Sequence, residues 1–202
     1  MPDLVNLLDL TPADALARLR EYMSEAGEPA YRAEQVTRQL WLNPAPDFAA
    51  MTTLPLALRS ALSERFAIPR LEIVERQRST DGTEKFLFRL PEGQEIETVA
   101  IPDEGRLTLC ISSQAGCALQ CAFCATGRMG FQRNLAAWEI AGQVREMALL
   151  TPPIAVTNVV FMGMGEPMMN WPEVDRALTI LNSPQGVGIG ARHITVSTVG
   201  VL

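Results

Sequence analysis

Three cysteines, Cys117, Cys121 and Cys124, fall within eight residues at the spacing C-x3-C-x2-C. Thiolates packed this closely lie in one local loop, and three of them can bind three irons of a four-iron [4Fe–4S] cluster. The fourth iron would have no protein ligand from this run and could bind a small molecule. Ferredoxin runs, which have other spacings, fill every iron and serve electron transfer. The spacing therefore predicts an iron–sulfur loop with one open coordination position.

Other uses of these cysteines fit less well. A structural zinc site usually has four ligands, and the single histidine, His193, is distant in the sequence. Disulfides need an oxidising compartment, but the N-terminal Met-Pro-Asp-Leu-Val lacks the basic and apolar regions of a signal peptide. Buried inert thiols would explain one or two cysteines better than three at this spacing. We therefore expect reduced thiols and a cytoplasmic location.

The composition is that of a globular chain without a membrane partner. The chain has 202 residues, of which 48% are hydrophobic, and no apolar stretch approaches the ~20 residues of a membrane helix. The net charge of −6 argues mildly against a partner bound through phosphates. However, Lys85 is the only lysine, and the arginines that supply the other positive charges suit planar contacts with nucleic acid as well as ion pairs.

The first half of the chain changes its apolar period once. Residues 1–70 predict a small helical accessory domain, in which Thr11 is an N-cap and Pro12 the first helical residue. A third helix of this domain is expected over residues 55–66. Residues 71–102 then predict a β-hairpin module that joins the helical part to the second half of the chain.

Residues 103–202 alternate between strand-like and helix-like patterns. Strands are expected over 107–112, 155–162 and 193–199, with helices over 135–150 and 171–181 between them. Strand–helix–strand–helix–strand implies parallel pairing through right-handed crossovers. Three parallel strands and two helices form half a barrel at most. We therefore expect an α/β fold with a partial (β/α) barrel, in the N-terminal part of a longer protein.

The carboxyl ends of these strands carry the candidate binding residues, because active groups of α/β barrels lie there. The cysteine loop follows the first predicted strand, and Gly163-Met164-Gly165-Glu166-Pro167 follows the second. Glycines let the backbone approach a ligand closely, and Glu166 offers two acceptor oxygens to an ammonium group. A glycine-rich turn with a solvated glutamate is the alternative. Ser197, near the end of the third strand, could direct its hydroxyl to the same ligand.

Two further residues lie on predicted strands, outside the cysteine run. Cys110 precedes Cys117 by seven residues, which is not a cluster spacing, and a small buried hydrophobic residue is one explanation for it. Glu97 is an acid between apolar neighbours, and an outward-facing carboxylate on an alternating strand is one explanation for it. From the residues alone, a chemical role for either stays open.

Longer strings of the sequence resemble one enzyme family. The matching runs are residues 97–99, 109–127, 130–135, 158–167 and 195–198. They are similar to the dual-specificity RNA methyltransferases (RlmN) of the radical S-adenosylmethionine (SAM) superfamily. The likeness is weakest over the first helices, which resemble the family's accessory RNA-binding domain. It implies a radical SAM core over residues 103–202 that methylates C2 of adenosine in large-subunit rRNA and tRNA.

The resemblance implies cofactors, partners and residue roles. The cofactors would be a [4Fe–4S] cluster and SAM, and the partners rRNA, tRNA and an electron donor such as flavodoxin. The cluster ligands would be Cys117, Cys121 and Cys124. The SAM contacts would be Gly165, Glu166 and Ser197. Glu97 matches the family's proton acceptor, and Cys110 matches a cysteine that helps release the product from a covalent enzyme–RNA adduct.

The resemblance also leaves alternatives open. The family's methyl-carrying cysteine lies near its C-terminus, and no cysteine follows Cys124 in this sequence, so we expect the chain alone to be inactive. Related methyltransferases that act on adenine C8 and confer antibiotic resistance share these motifs. A non-catalytic iron–sulfur or zinc module that binds RNA is the third alternative.

Overall fold

The structure, a computed structural model, describes residues 4–119 and 121–201. Residues 1–3, which the signal-peptide argument used, Gln120 of the cysteine loop and Leu202 lie outside the described residues. The α-helices are α1 Pro12–Glu25, α2 Tyr31–Leu40, α3 Leu56–Ser63, α4 Ala125–Met129, α5 Ala137–Ala148 and α6 Trp171–Asn182. The strands are β1 Val5–Asn6, β2 Phe66–Ala67, β3 Glu72–Arg78, β4 Glu84–Arg89, β5 Glu95–Asp103, β6 Arg106–Cys110, β7 Gln114–Gly116, β8 Phe131–Asn134, β9 Asn158–Phe161 and β10 Ile194–Val196. Within the described ranges, no helix combines the length and the apolar character needed to cross a membrane.

The main sheet has six strands in the order β10-β9-β6-β5-β4-β3. Strands β3 to β6 pair antiparallel one after another, whereas β6, β9 and β10 pair in parallel. Helix α5 lies between β6 and β9 in the chain, and α6 lies between β9 and β10, as the alternating pattern predicted. The expected α/β class is confirmed. A helical segment, residues 4–70 with α1 to α3, comes first; a β-hairpin module of β3 to β5 follows it, and the three parallel strands come last.

The two faces of this sheet differ in environment because side chains alternate along each strand. The face in the hydrophobic core buries Phe86, Phe88, Ile96, Ala100, Leu109, Val159 and Phe161. The opposite face, which we call the open face, carries the partly exposed residues Glu97, Val99, Cys110 and Val160. Val99 lies opposite Cys110 in the register, and Cys110 lies opposite Val160. The open face therefore continues from the antiparallel into the parallel part of the sheet.

The helical segment begins as the sequence predicts. Thr11 caps α1, its hydroxyl accepting the Asp14 backbone amide at 3.2 Å, and Pro12 is the first helical residue. The third helix is shorter than expected, since Phe66 lies in β2 and pairs in parallel with β1. Phe66 also packs edge-on against Tyr22 of α1, with ring centroids 5.3 Å apart. These contacts hold the end of the helical segment against β1 and α1, directly before the main sheet begins at β3.

Two adjacent charged residues of α5 join it to the helical segment. The side chain of Arg145 is 1% exposed; its Nε donates to the Leu40 carbonyl at 2.8 Å, and its Nη2 donates to the Ala45 carbonyl. The carboxylate of Glu146 accepts from the Arg70 guanidinium at 2.6 to 2.9 Å. Burial lowers the pKa of Arg145 to about 10, although the neighbouring Glu146 carboxylate acts in the opposite direction.

A division of the chain into three domains at residues 70 and 102 stays a prediction.

Candidate functional site

The cysteine loop begins and ends at a small hairpin. Strands β7 and β8 pair antiparallel and enclose residues 117–130. The Cys117 backbone amide donates to the Gly130 carbonyl at 3.1 Å. Gly116 has a φ of +75°, and a Cβ atom there would lie 1.8 Å from the Gly130 oxygen. Because only glycine fits this close approach, the sequence sets Cys117 at a fixed point shortly after β6.

The three cysteines of this loop are free thiols that differ in exposure. Cys117 is 8% exposed, and its Sγ accepts the Leu119 amide at 3.4 Å. Cys121 and Cys124 are partly exposed, and the Cys124 amide donates to the Cys121 carbonyl at 3.0 Å. Three thiols suit three irons of a [4Fe–4S] cluster in number and kind. Among the described residues, however, no three His, Cys, Asp or Glu side chains lie close enough to hold a metal ion, so their role as ligands stays a prediction.

A buried polar network ties the end of β6 to α5. Ser112 and Gln143, both 0% exposed, exchange two hydrogen bonds: the Ser112 amide donates to Gln143 Oε1 at 2.8 Å, and Gln143 Nε2 donates to the Ser112 carbonyl at 2.9 Å. The Thr98 hydroxyl donates to the same Oε1 at 2.7 Å. The Ser112 hydroxyl donates to the Glu97 carbonyl at 2.6 Å and accepts the Met164 amide at 2.9 Å. Because these buried groups are paired, the network fixes β5, β6 and the glycine-rich loop, residues 163–167, relative to one another.

Glu166 joins the segments that follow all three parallel strands. Its amide donates to Gln114 Oε1 at 2.9 Å, at the base of the cysteine loop. The residue is 3% exposed, and its carboxylate accepts the Thr198 hydroxyl at 2.5 Å and the Val199 amide at 3.0 Å, just after β10. The carboxylate also accepts the Met168 amide at 3.0 Å. Burial by itself would raise the pKa of Glu166, but these three hydrogen bonds together outweigh it and hold the pKa below its usual value.

The two glycines before Glu166 let their loop lie directly against the end of β6. A Cβ atom on Gly163 would lie 2.6 Å from the Ile111 carbonyl oxygen. Gly165 has a φ of +99°, and a Cβ atom there would lie 2.5 Å from Cβ of Gln114. The small size of both residues is therefore needed for packing within the protein. A contact between Gly165 and a ligand stays a prediction.

The two residues to which the resemblance assigns chemistry both lie on the open face. Glu97 forms an ion pair with Lys85 of β4 at 2.8 Å, and the two side chains are 46% and 42% exposed. Lys85 lies opposite Val99 and therefore on the same face. Burial raises the pKa of the Cys110 thiol, against a smaller opposite effect of the Met162 backbone amide. Cys110 is therefore a neutral thiol at neutral pH.

The structure thus brings part of the predicted site together. Glu166 and Gly165 meet the base of the cysteine loop, and the exposed Ser197 immediately precedes the Thr198 that Glu166 binds. Sequence reasoning missed the residues that organise these contacts, which are Ser112, Gln114, Gln143 and Thr198. The available signal was a polar side chain at the end of a buried strand or within an apolar helix face, since such groups need partners when buried.

Comparisons with known proteins identify the class of this site. Residues 5–68 match the family model for the ribosomal RNA large subunit methyltransferase N-terminal domain, and residues 111–202 match that of the radical SAM superfamily. The crystal structure of a radical SAM methyltransferase from Sphaerobacter thermophilus aligns with a TM-score of 0.84 at 42% identity, over 98% of this chain and 57% of that one. The parallel strands and the cysteine loop after the first of them therefore form part of a radical SAM core.

Curated relatives narrow this class to one family. A probable dual-specificity RNA methyltransferase RlmN from Gemmatimonas aurantiaca is 65% identical over the whole chain, which covers 56% of that protein. The dual-specificity RNA methyltransferase RlmN of Alkalilimnicola ehrlichii is 46% identical over 98% of the chain, which covers 54% of that protein. The chain is similar along its whole length to proteins named RlmN, and residues 5–68 match the N-terminal domain of ribosomal RNA large subunit methyltransferases. It spans about half the length of the curated relatives it matches.

Proposed function

We propose that this chain is the N-terminal part of a radical SAM methyltransferase that methylates C2 of adenosine in large-subunit rRNA and in tRNA. The observation that carries the proposal is Glu166, which joins the segments after three parallel strands at the base of a loop with three free thiols. Ligands of α/β folds bind where such strand-end segments converge. Relatives named as dual-specificity RNA methyltransferases supply the substrate class.

The donor set of this site suits a [4Fe–4S] cluster and SAM. The cluster ligands would be Cys117, Cys121 and Cys124. Together the two cofactors supply one-electron chemistry, which the reaction needs because C2 of adenine is electron-poor and is a weak nucleophile toward a methyl group. Glu166 and the backbone of Gly165 would bind the amino-acid end of SAM, with the Ser197 hydroxyl beside them. The pKa of Glu166 is held low, which keeps a negative charge available for an ammonium group.

The open face would carry the residues that act on the RNA. Glu97 would accept the proton lost from the methylated adenine, and its carboxylate lies beside the Lys85 ammonium at 2.8 Å. Cys110 would release the product from a covalent adduct; because it is a neutral thiol, it must lose its proton before it acts as a nucleophile. The adenine must leave its stack to reach this face, as in other base-modifying enzymes.

The remaining partners follow from the same reaction. The helical segment would contribute to RNA binding, and an electron donor such as flavodoxin would reduce the cluster. The methyl-carrying cysteine of the family has no counterpart after Cys124. We therefore propose that the chain alone binds its cofactors but does not methylate RNA.

Anaerobic reconstitution of the purified chain with iron and sulfide tests the proposal. We expect about four irons per chain, broad absorbance near ~400 nm and a change in the EPR spectrum when SAM is added. Cys121→Ala should abolish iron retention, because two cysteines cannot fix the cluster, whereas the matched variant Cys110→Ala should retain it. Equal iron loss in both variants would contradict the ligand assignment, and an EPR spectrum insensitive to SAM would contradict an open iron.

The same preparation tests the limit of the chain's activity. Supplied with rRNA, SAM and a reductant, it should yield no 2-methyladenosine by mass spectrometry. Detection of 2-methyladenosine would refute the argument from the carrier cysteine and would leave Cys110 as the thiol able to serve in its place.

A further inference from the structure

The segment after β10 is held by a carboxylate clamp, which we define as Glu166, Thr198, Val199 and Gly200. The Thr198 hydroxyl donates to Glu166 Oε1 at 2.5 Å and accepts the Gly200 amide at 3.0 Å. The Val199 amide donates to the other carboxylate oxygen, Oε2, at 3.0 Å. Both carboxylate oxygens of Glu166 are thus used to hold one short turn of the chain.

The clamp limits what Glu166 can offer to a ligand. An ionised carboxylate has about four acceptor positions, and the protein's own donors fill three of them, from Thr198, Val199 and Met168. One acceptor position is left, so Glu166 alone cannot satisfy the three donors of an ammonium group. A ligand held here needs further acceptors from neighbouring groups, and their positions depend on how the turn is held.

Ser197 is the neighbouring group whose position the clamp fixes. It lies directly before Thr198 and one residue after β10, and it is exposed. No other strand supports this turn in the described part of the chain, because β10 is the edge strand of the sheet. The hydrogen bonds to Glu166 therefore determine where the Ser197 hydroxyl stands relative to the carboxylate.

We propose that Thr198 is a positioning residue of the SAM site, whose hydroxyl locks Glu166 to the turn so that Ser197 and the free acceptor position of Glu166 present one surface to the amino-acid end of SAM. The inference rests on the proposed function and deepens it. Thr198 acts through Glu166 and Ser197, and it makes no contact with the cofactor itself. Because these hydrogen bonds lie within the protein, they reduce the ordering that cofactor binding requires.

Two substitutions separate the effect of the carboxylate clamp on SAM binding from a general loss of protein stability. Thr198→Val keeps the shape of the side chain and removes the hydroxyl, whereas Thr198→Ser keeps the hydroxyl. Thr179→Val is the matched control, because Thr179 is an exposed threonine of α6 whose hydroxyl donates only within its own helix, to the Asp175 carbonyl at 3.1 Å. Each variant is compared with the wild-type chain after anaerobic reconstitution.

Two measurements are made on each protein. Hydrogen exchange at the Val199 and Gly200 amides measures how firmly the carboxylate clamp holds the turn, and it needs no cofactor. Equilibrium dialysis measures the Kd for SAM, and the iron content checks that the cluster is loaded. Thr198→Val should speed exchange at both amides and raise the Kd for SAM about tenfold, the ratio for one lost hydrogen bond to a charged group. Iron content should not change, and Thr198→Ser and Thr179→Val should behave as the wild type does.

The outcomes distinguish this inference from the proposed function. Unchanged exchange in Thr198→Val would show that the hydroxyl does not hold the turn. Faster exchange with an unchanged Kd for SAM would show that the lock is structural only, and either result overturns the inference while the proposed function stands. A wild-type chain that retains iron but binds no SAM would overturn both.

Discussion

Arg145 provides a test of how the helical segment is held against the core of the protein. We consider Arg145→Met, which keeps a long unbranched side chain and removes the guanidinium. The substitution removes the two hydrogen bonds to the carbonyls of Leu40 and Ala45, at and just beyond the C-terminal end of α2. It leaves the ion pair between Glu146 and Arg70 in place. It also removes the longer contact between Arg145 Nη1 and Glu146 Oε1, which are 3.8 Å apart.

Two opposing effects set the size of the change. Each hydrogen bond from a charged group contributes about 1.5–3 kcal/mol, and both are lost. Burial opposes them, because it lowers the pKa of Arg145 from its ordinary value to about 10. At about 1.4 kcal/mol per unit, this shift corresponds to roughly 3 kcal/mol against the charged form, which methionine relieves. The hydrogen bonds outweigh the burial, so we expect a loss of roughly 2 kcal/mol in the free energy of unfolding.

Urea unfolding followed by circular dichroism measures this loss, with the slope m as the check that the same surface unfolds. Arg192→Met is the matched control, since Arg192 is an exposed arginine on the short turn before β10 and its replacement should change stability by less than about 0.5 kcal/mol. If Arg145→Met were no less stable than Arg192→Met, the cost of burial would cancel the two bonds. The reasoning that Arg145 holds the helical segment would then be wrong.

Two further predictions concern the site. Gly116→Ala should lower both the Tm and the iron retained after reconstitution, because a Cβ would meet the Gly130 oxygen. Gly105→Ala is the control for backbone strain alone, since Gly105 has a φ of +70° and open space where a Cβ would lie. Equal effects of the two substitutions would refute the steric argument. The pKa of Glu166 is lowered from 4.5, so its contribution to stability is complete above that pH and is lost as the pH falls through the lowered value. In urea titrations, the stability gap between the wild type and Glu166→Gln should therefore narrow below pH 4.5, and a constant gap would contradict the assignment.

The alternation of strands and helices could be predicted because the spacing of apolar residues differs between the two and is visible over short stretches of sequence. Val159 and Phe161 are buried, as expected of a strand in the core, but β9 covers only Asn158–Phe161 instead of residues 155–162. The difference has a physical reason, since a strand extends only where a partner offers backbone groups, and β9 pairs with β6 over three residues. Apolar composition predicts that a strand exists, whereas its ends depend on its neighbours.

The contacts that organise the site could not be predicted because they join residues distant in the sequence. Gln143 reaches Ser112 across 31 positions, Thr198 reaches Glu166 across 32, and Arg145 reaches Leu40 across 105. No local pattern marks such pairs. What the sequence supplies is the requirement that a buried polar group find a partner, without the identity of that partner.

The described contacts divide the proposed site into two parts that depend on different regions of the protein. The binding part, around Glu166 and the base of the cysteine loop, is fixed by buried hydrogen bonds between residues of this chain. The chemical part, Glu97 and Cys110, lies on the open face, where Glu97 has an exposed ion pair that holds it only weakly. The contacts that hold the binding part in place therefore lie within this chain. Geometry for the reaction depends on whatever meets the open face, which is why loss of activity with retention of cofactor is the combination that the structure leads us to expect.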